Sequence, residues 1–264
     1  MSRPMPPKIP AESAPAPAHA MPAESAPAPA HAVPAGRPTP RRNLVVLDMA
    51  GTTVADDGLV EDAFAAAARR VGEDPAPMLD HVRATMGESK ISVFRHLLGG
   101  DETRARRANA AFEEAYAERV AAGAVAPVPG AADAVRALRD QGRTVVLTTG
   151  FARVTQDALL AALGWQELAD LTLCPADAGG RGRPYPDMVL TALLRTRAVD
   201  DVRGVAVAGD TGYDMLTGVR AGAGLVAGVL TGAHDAERLT ASGATHVLGS
   251  VAELPALLAR LEAP

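Results

Sequence analysis

The sequence predicts an α/β fold: a parallel sheet wound with helices on both faces, interrupted after its first strand by an all-helical insertion. Three observations predict it. Short aliphatic runs ending in small or polar residues recur along the chain. Apolar residues three and four apart fill most of the intervals between them, which is the texture of a sheet buried on both faces. Residues 60–125 are the exception, because they hold helical runs and no strand candidate.

Taken in order, residues 1–43 stand apart. PAESAPAPAHA occurs at 10–20 and again at 22–32, in a segment rich in Pro and Ala and almost free of large apolar side chains. Such a composition buries too little surface to offset ordering entropy, so a disordered, partly polyproline tail is expected. The first strand is LVVLD (44–48). The insertion follows as EDAFAAAARRVG, SKISVFRHLLGG and ETRARRANAAFEEAYAERVAAG, and PVPG (127–130) returns the chain to the sheet. Further strands are TVVLTTG (144–150), DLTLC (170–174), GVAVAGD (204–210), LVAGVL (225–230) and THVLG (245–249). Helical runs AADAVRALRDQ, VTQDALLAALG and DMVLTALLRT lie among them. The expected division is a tail over 1–43, a sheet domain over 44–58 and 127–264, and a helical domain over 59–126.

Bulk properties narrow the function. A formal charge of −5 argues against a nucleic-acid or anionic-membrane binder. The one cysteine, Cys174, excludes an intramolecular disulfide and suits a reducing compartment. No apolar run approaches the roughly 18 residues that cross a membrane, and the N-terminus lacks the apolar region of a secretory signal. A cytoplasmic protein is expected.

In a doubly wound sheet, ligands gather at the carboxyl ends of the strands, and four polar clusters sit there. Asp48 precedes Ala50, Gly51, Thr52 and Thr53 on a tight turn. A carboxylate so placed can attack an electrophile or cap the next turn. Thr148, Thr149 and Gly150 can hold phosphate oxygens, or simply make a turn. Arg183 precedes a proline that can open a helix, and its guanidinium can neutralise a carboxylate and a phosphoryl group. Asp210 and Asp214, four apart at a helix start, can hold a hard cation such as Mg²⁺ or cap the helix. Together they supply a nucleophile, an anion cradle, a counter-charge and a metal site, which is a phosphoryl-transfer set.

In this order and spacing, the chain from Asn43 onward resembles the haloacid dehalogenase superfamily. The resemblance implies a Rossmann-like core with a helical cap inserted after the first strand. It also implies an aspartyl-phosphate at Asp48, with Mg²⁺ held by Asp48, the Ala50 carbonyl and Asp210, and Asp214 in support. Phosphatases of this superfamily read Asp-x-Asp, the second Asp acting as general acid; here that place is Ala50. The Asp-x-Ala-Gly-Thr-Thr turn, Gly182-Arg183-Pro184 and MGESKI (86–91) are similar instead to the phosphonatase branch, phosphonoacetaldehyde hydrolase and its relatives. In that branch a cap lysine, matched by Lys90, forms an imine with the substrate aldehyde and so activates the C–P bond. The resemblance assigns catalysis to Asp48, Lys90, Thr149 and Arg183. It places Ala50, Thr52, Met86, Thr148, Gly150 and Phe151 around the substrate. Three departures stand out. Val93 occupies the place of a His, Phe151 that of a Tyr and Leu59 that of a Cys. The implied substrate is a small phosphonate, or another phosphorylated metabolite if a monoester is cleaved without the second Asp. The implied assembly is a homodimer through the cap helices. A binding protein on an inactive core is the reading from another class.

Overall fold

The structure is a computed structural model and describes residues 40–263. The tail expected over 1–43 lies outside the described residues as far as position 39. From there the chain is fastened to its other end. The Arg42 amide donates to Glu262 at 2.8 Å, and Glu262 also pairs with buried Arg143 at 2.9 Å.

Among the described residues, six strands form one parallel sheet: β1 (Leu44–Asp48), β2 (Thr144–Thr148), β3 (Leu171–Leu173), β4 (Val205–Gly209), β5 (Leu225–Val229) and β6 (His246–Leu248). Their order is β3-β2-β1-β4-β5-β6. The order reverses at β1, so β1 and β4, neighbours in the sheet, leave a crevice at their carboxyl ends. Alternate side chains serve opposite faces. Val45 and Leu47 enter one core with α5 (Ala131–Asp140), α6 (Arg153–Leu163) and α10 (Leu254–Leu261). Leu44 and Val46 enter another with α7 (Asp187–Thr196) and α8 (Gly212–Ala221). Every residue of β1, β4 and β5 is buried, which is why these strands read as unbroken aliphatic runs. The edge strands β3 and β6 are shorter than the runs that predict them; each has one neighbour, and pairing spans three residues.

Between β1 and α5 the chain makes α1 (Leu59–Arg70), α2 (Ala76–Ala84), α3 (Lys90–Leu97) and α4 (Glu102–Ala121). α2 has no counterpart in the sequence reading, because Pro75 and Pro77 look like breakers. Both fall at or before the first helical turn, where a missing N–H costs nothing. Along α4, Ala105, Ala108, Phe112 and Ala115 turn inward at helical spacing, and Arg104, Arg106 and Arg107 face water. The protein has four phenylalanines, and all of them meet here. Phe64, Phe94 and Phe112 from the helices pack with Phe151 and Tyr116, with Phe64–Phe94 centroids 4.7 Å apart and Tyr116–Phe151 4.6 Å apart. A chain so poor in aromatics concentrates them where the helical layer meets the strand ends. The short helix α9 (Ala236–Ala241) connects β5 to β6.

Candidate active site

β1 delivers Asp48 to the crevice, and the turn after it folds back because Gly51 adopts φ +82°, a conformation open to glycine. A Cβ on Gly51 would overlap the Asp210 carboxylate, and so would one on Gly232. Gly51→Ala is therefore expected to cost about 1–3 kcal/mol of stability from backbone strain and to displace Asp210. Thermal denaturation and the loss of cation-induced stabilisation check it.

Arg183 lies at the centre. Its Nη2 donates to Asp48 and, at 2.9 Å, to the Thr148 hydroxyl, while its Nε meets Asp214 at 2.5 Å. Thr52 donates to Asp210 at 3.1 Å, and the Ala233 amide donates to the same carboxylate at 2.8 Å. Asp214 also caps α8, accepting the Thr211 amide at 3.1 Å and its hydroxyl at 2.5 Å. Capping and ion pairing thus coexist in one carboxylate, using different oxygens.

Oxygen atoms of Asp48, Asp210 and Asp214 lie within 4.8 Å of one another, all three side chains buried. Burial, reinforced by the other two carboxylates, pushes Asp48 well above the usual range, against the pull of Arg183. Burial and Asp214 push Asp210 up to about 7. Three buried carboxylates face one guanidinium, so full ionisation leaves two negative charges uncompensated. Among the described residues the Ala50 carbonyl accepts no hydrogen bond. Oxygen donors, a twofold charge deficit and a free carbonyl fit a hard divalent cation.

The helical layer closes this crevice. Lys90, first residue of α3, is 6% exposed, and its Nζ lies 5.8 Å from the Phe64 ring centre and 5.5 Å from that of Phe151. It forms no hydrogen bond or ion pair among the described residues. Burial lowers its pKa; the charges of Asp56 and Asp48 oppose that shift and Arg183 adds to it. Lys90 shares a cavity of about 20 Å³ with Asp48, Thr149, Arg183 and Asp210, which is room for about one water. Its other side borders a second cavity, of about 100 Å³, with Glu113 and Asn109.

The residues singled out in the sequence therefore converge. Ala50, Met86, Gly150 and Phe151 also line the small cavity. Thr52 and Thr148 stand behind it, holding Asp210 and Arg183. Phe151 and Val93 occupy apolar surroundings. Sequence reasoning missed Asp56, which lines the cavity, Glu113, which borders the second cavity with Lys90, and Tyr116, which packs on Phe151. Asp56 hides in an unremarkable Asp-Asp-Gly turn, and Glu113 among the many charges of α4.

A parallel sheet with buried carboxylates at its switch point defines a class, and sequence comparison names it. Residues 43–222 match the haloacid dehalogenase-like hydrolase family, and the chain belongs to it. Within it, the chain is 30% identical over 216 residues, 80% of its own length and 91% of the other, to a Dickeya dadantii protein described as "Probable phosphatase IndB". It is also 30% identical over 257 residues to a phosphonoacetaldehyde hydrolase of Bacteroides fragilis, covering 81% of this chain and 94% of that one. Among solved structures, a phosphonoacetaldehyde hydrolase-like protein from Oleispira antarctica superposes with a TM-score of 0.71 at 26% identity, covering 86% of this chain and 97% of that chain. A hydrolase from Pseudomonas syringae shares the fold, with a TM-score of 0.74 at 22% identity, covering 84% and 100%. No helix among the described residues is long and apolar enough to cross a membrane.

Proposed function

We propose that the protein is a Mg²⁺-dependent hydrolase of the phosphonatase kind, cleaving the C–P bond of a small phosphonate such as phosphonoacetaldehyde. The observation that carries this reading is Lys90: a buried amine without a hydrogen-bond partner, in one cavity with Asp48 and Arg183. Ala50 removes the usual acid, so the leaving carbon needs another means of activation, and a desolvated amine supplies one.

The steps follow from the side chains. Neutral Lys90 adds to the aldehyde and, with loss of water, gives a protonated imine. Asp48 attacks phosphorus, the C–P bond breaks, and its electron pair moves into the imine to give an enamine. Arg183 favours the ionised form of Asp48, opposing its burial, and offsets charge on the phosphoryl oxygens, helped by the Thr149 and Gly150 turn. Water then cleaves the aspartyl-phosphate, releasing phosphate, while the enamine takes a proton and hydrolyses to acetaldehyde, freeing Lys90. Mg²⁺, held by Asp48, the Ala50 carbonyl and Asp210 with Asp214 behind, would stabilise the developing phosphoryl charge. A cavity of about 20 Å³ is too small for such a substrate, so the α1–α4 layer acts as a cap that opens to admit it.

Borohydride added with phosphonoacetaldehyde should leave a reduced two-carbon adduct on Lys90, read by peptide mass. No adduct, together with full turnover in Lys90→Arg, ends this reading. A second reading, a monoester phosphatase, is favoured by the apolar Phe151 and Val93 near Lys90, where the phosphonatase branch carries Tyr and His. It predicts phosphate release from simple esters at comparable efficiency. Chelation should abolish turnover under both readings, with recovery on adding Mg²⁺. Family resemblance alone supports a homodimer through the cap helices, which light scattering tests. The single buried thiol of Cys174 suits a cytoplasmic setting.

A further inference from the structure

We infer that Asp56 is the proton carrier for Lys90, taking its proton before imine formation and returning it to the departing water. The inference rests on the C–P cleavage reading above. Imine chemistry needs a group that removes the ammonium proton and then protonates the carbinolamine hydroxyl. On α3 the position one turn after Lys90 is Val93, engaged in the core, and His96 is exposed and stacked on His81.

Asp56 meets the requirement from the other side. It follows the nucleophile turn, before α1, and lines the same small cavity as Lys90 and Asp48. Its Oδ1 accepts the Val60 amide at 3.1 Å, which anchors the carboxyl while Oδ2 has no partner among the described residues. Of the charges acting on Lys90, that of Asp56 is the largest, ahead of Asp48, Arg183 and Glu113. Burial raises the Asp56 pKa; the Val60 bond and Lys90 oppose that rise, and Glu61 and Asp57 add to it. Raised from one side and lowered from the other, the two groups are drawn together in proton affinity, which is what rapid transfer between them requires. A second observation marks the place as built for polar chemistry. Tyr116 is fully buried, its hydroxyl finds no partner among the described residues, and it feels Asp56, Asp48 and Glu113. An orphan hydroxyl in a tight aromatic cluster is costly unless something polar arrives to meet it.

The step balances. The Asp56 carboxylate takes one proton from the Lys90 ammonium. The freed amine adds to the aldehyde carbon, and a proton passes from nitrogen to the new oxygen to give the neutral carbinolamine. Asp56 returns its proton to that hydroxyl, which leaves as water, and the nitrogen lone pair closes the C=N bond.

The test is the rate of borohydride-trapped adduct on Lys90 with phosphonoacetaldehyde, compared between the wild type, Asp56→Asn and Asp56→Ser. Both substitutes can still accept the Val60 amide, and neither carries a proton at neutral pH. Slowing by roughly a hundredfold or more at an unchanged melting temperature supports the proposal. If one variant fails to fold, the other carries the comparison. A purely electrostatic Asp56 predicts the opposite sign. Removing its charge would lower the Lys90 pKa further, raise the free-amine fraction and speed trapping. Equal or faster trapping in a folded variant overturns the assignment while leaving the imine reading intact. No adduct in the wild type overturns the imine reading itself.

Discussion

Asp48→Asn is expected to lower turnover by roughly four orders of magnitude or more, the scale seen when a nucleophile is removed from an enzyme that forms a covalent intermediate. An amide cannot attack phosphorus at a useful rate, yet its oxygen can still accept from Arg183 and Thr148 can still position the guanidinium. Folding should survive. The carboxyl it replaces is held above its ordinary pKa by burial and by Asp214 and Asp210, so its ionised form strains the apo protein at neutral pH. The expected result is a melting temperature equal to or above that of the wild type without metal, together with phosphate release near background. Substantial turnover in the folded variant would remove Asp48 from the nucleophile's place under both hydrolase readings.

The second large effect is expected at Lys90. Lys90→Arg keeps the charge and loses the nucleophilic amine, so C–P cleavage should fall at least a thousandfold, on the order of the contribution of a reacting group. Because a permanent guanidinium between Phe64 and Phe151 is itself a burden, Lys90→Met serves as the companion. It fills the same apolar slot without charge and should fold at least as well as the wild type. The pH dependence has a definite sign. Burial lowers the Lys90 pKa below the 10.5 of a free lysine. Between its depressed value and 10.5 the unfolded chain therefore binds more protons at this site than the folded one. Stability gained from this residue rises with pH across that window. Lys90→Met should flatten that slope in melting curves taken with and without substitution. An unchanged slope would show that the amine is freely solvated, and the imine mechanism would lose its chemical basis.

Most of the site was legible because it lies at strand ends. A buried parallel strand must be a short aliphatic run, and the residue that ends it is the first allowed to be polar. Asp48, Thr148 and Asp210 announce themselves in that way, and the β3-β2-β1-β4-β5-β6 order brings them to one crevice. Arg183 was readable only as a basic residue in the right order; its carboxylate partners are Asp48 at the end of β1 and Asp214 in the first turn of α8. Helix α2 was not legible, because proline reads as a breaker until its place in the first turn is known. Asp56, Glu113 and Tyr116 left no periodic or motif signal at all. Their meaning depends on which helix faces settle over Lys90.

The sequence by itself determined the alternation that makes a parallel sheet, the order of the chemical groups at its strand ends, and the alanine at position 50 that denies the site its usual acid. These are local properties, written in side-chain periodicity and in residue type next to a turn. Only the tertiary structure decided that Lys90 loses its water between Phe64 and Phe151, that Asp210 is pushed up to about 7, and that Asp56 shares the amine's cavity. Burial and the electrostatic neighbours that set proton affinity are sums over the whole packed molecule, and no short stretch of chain contains them.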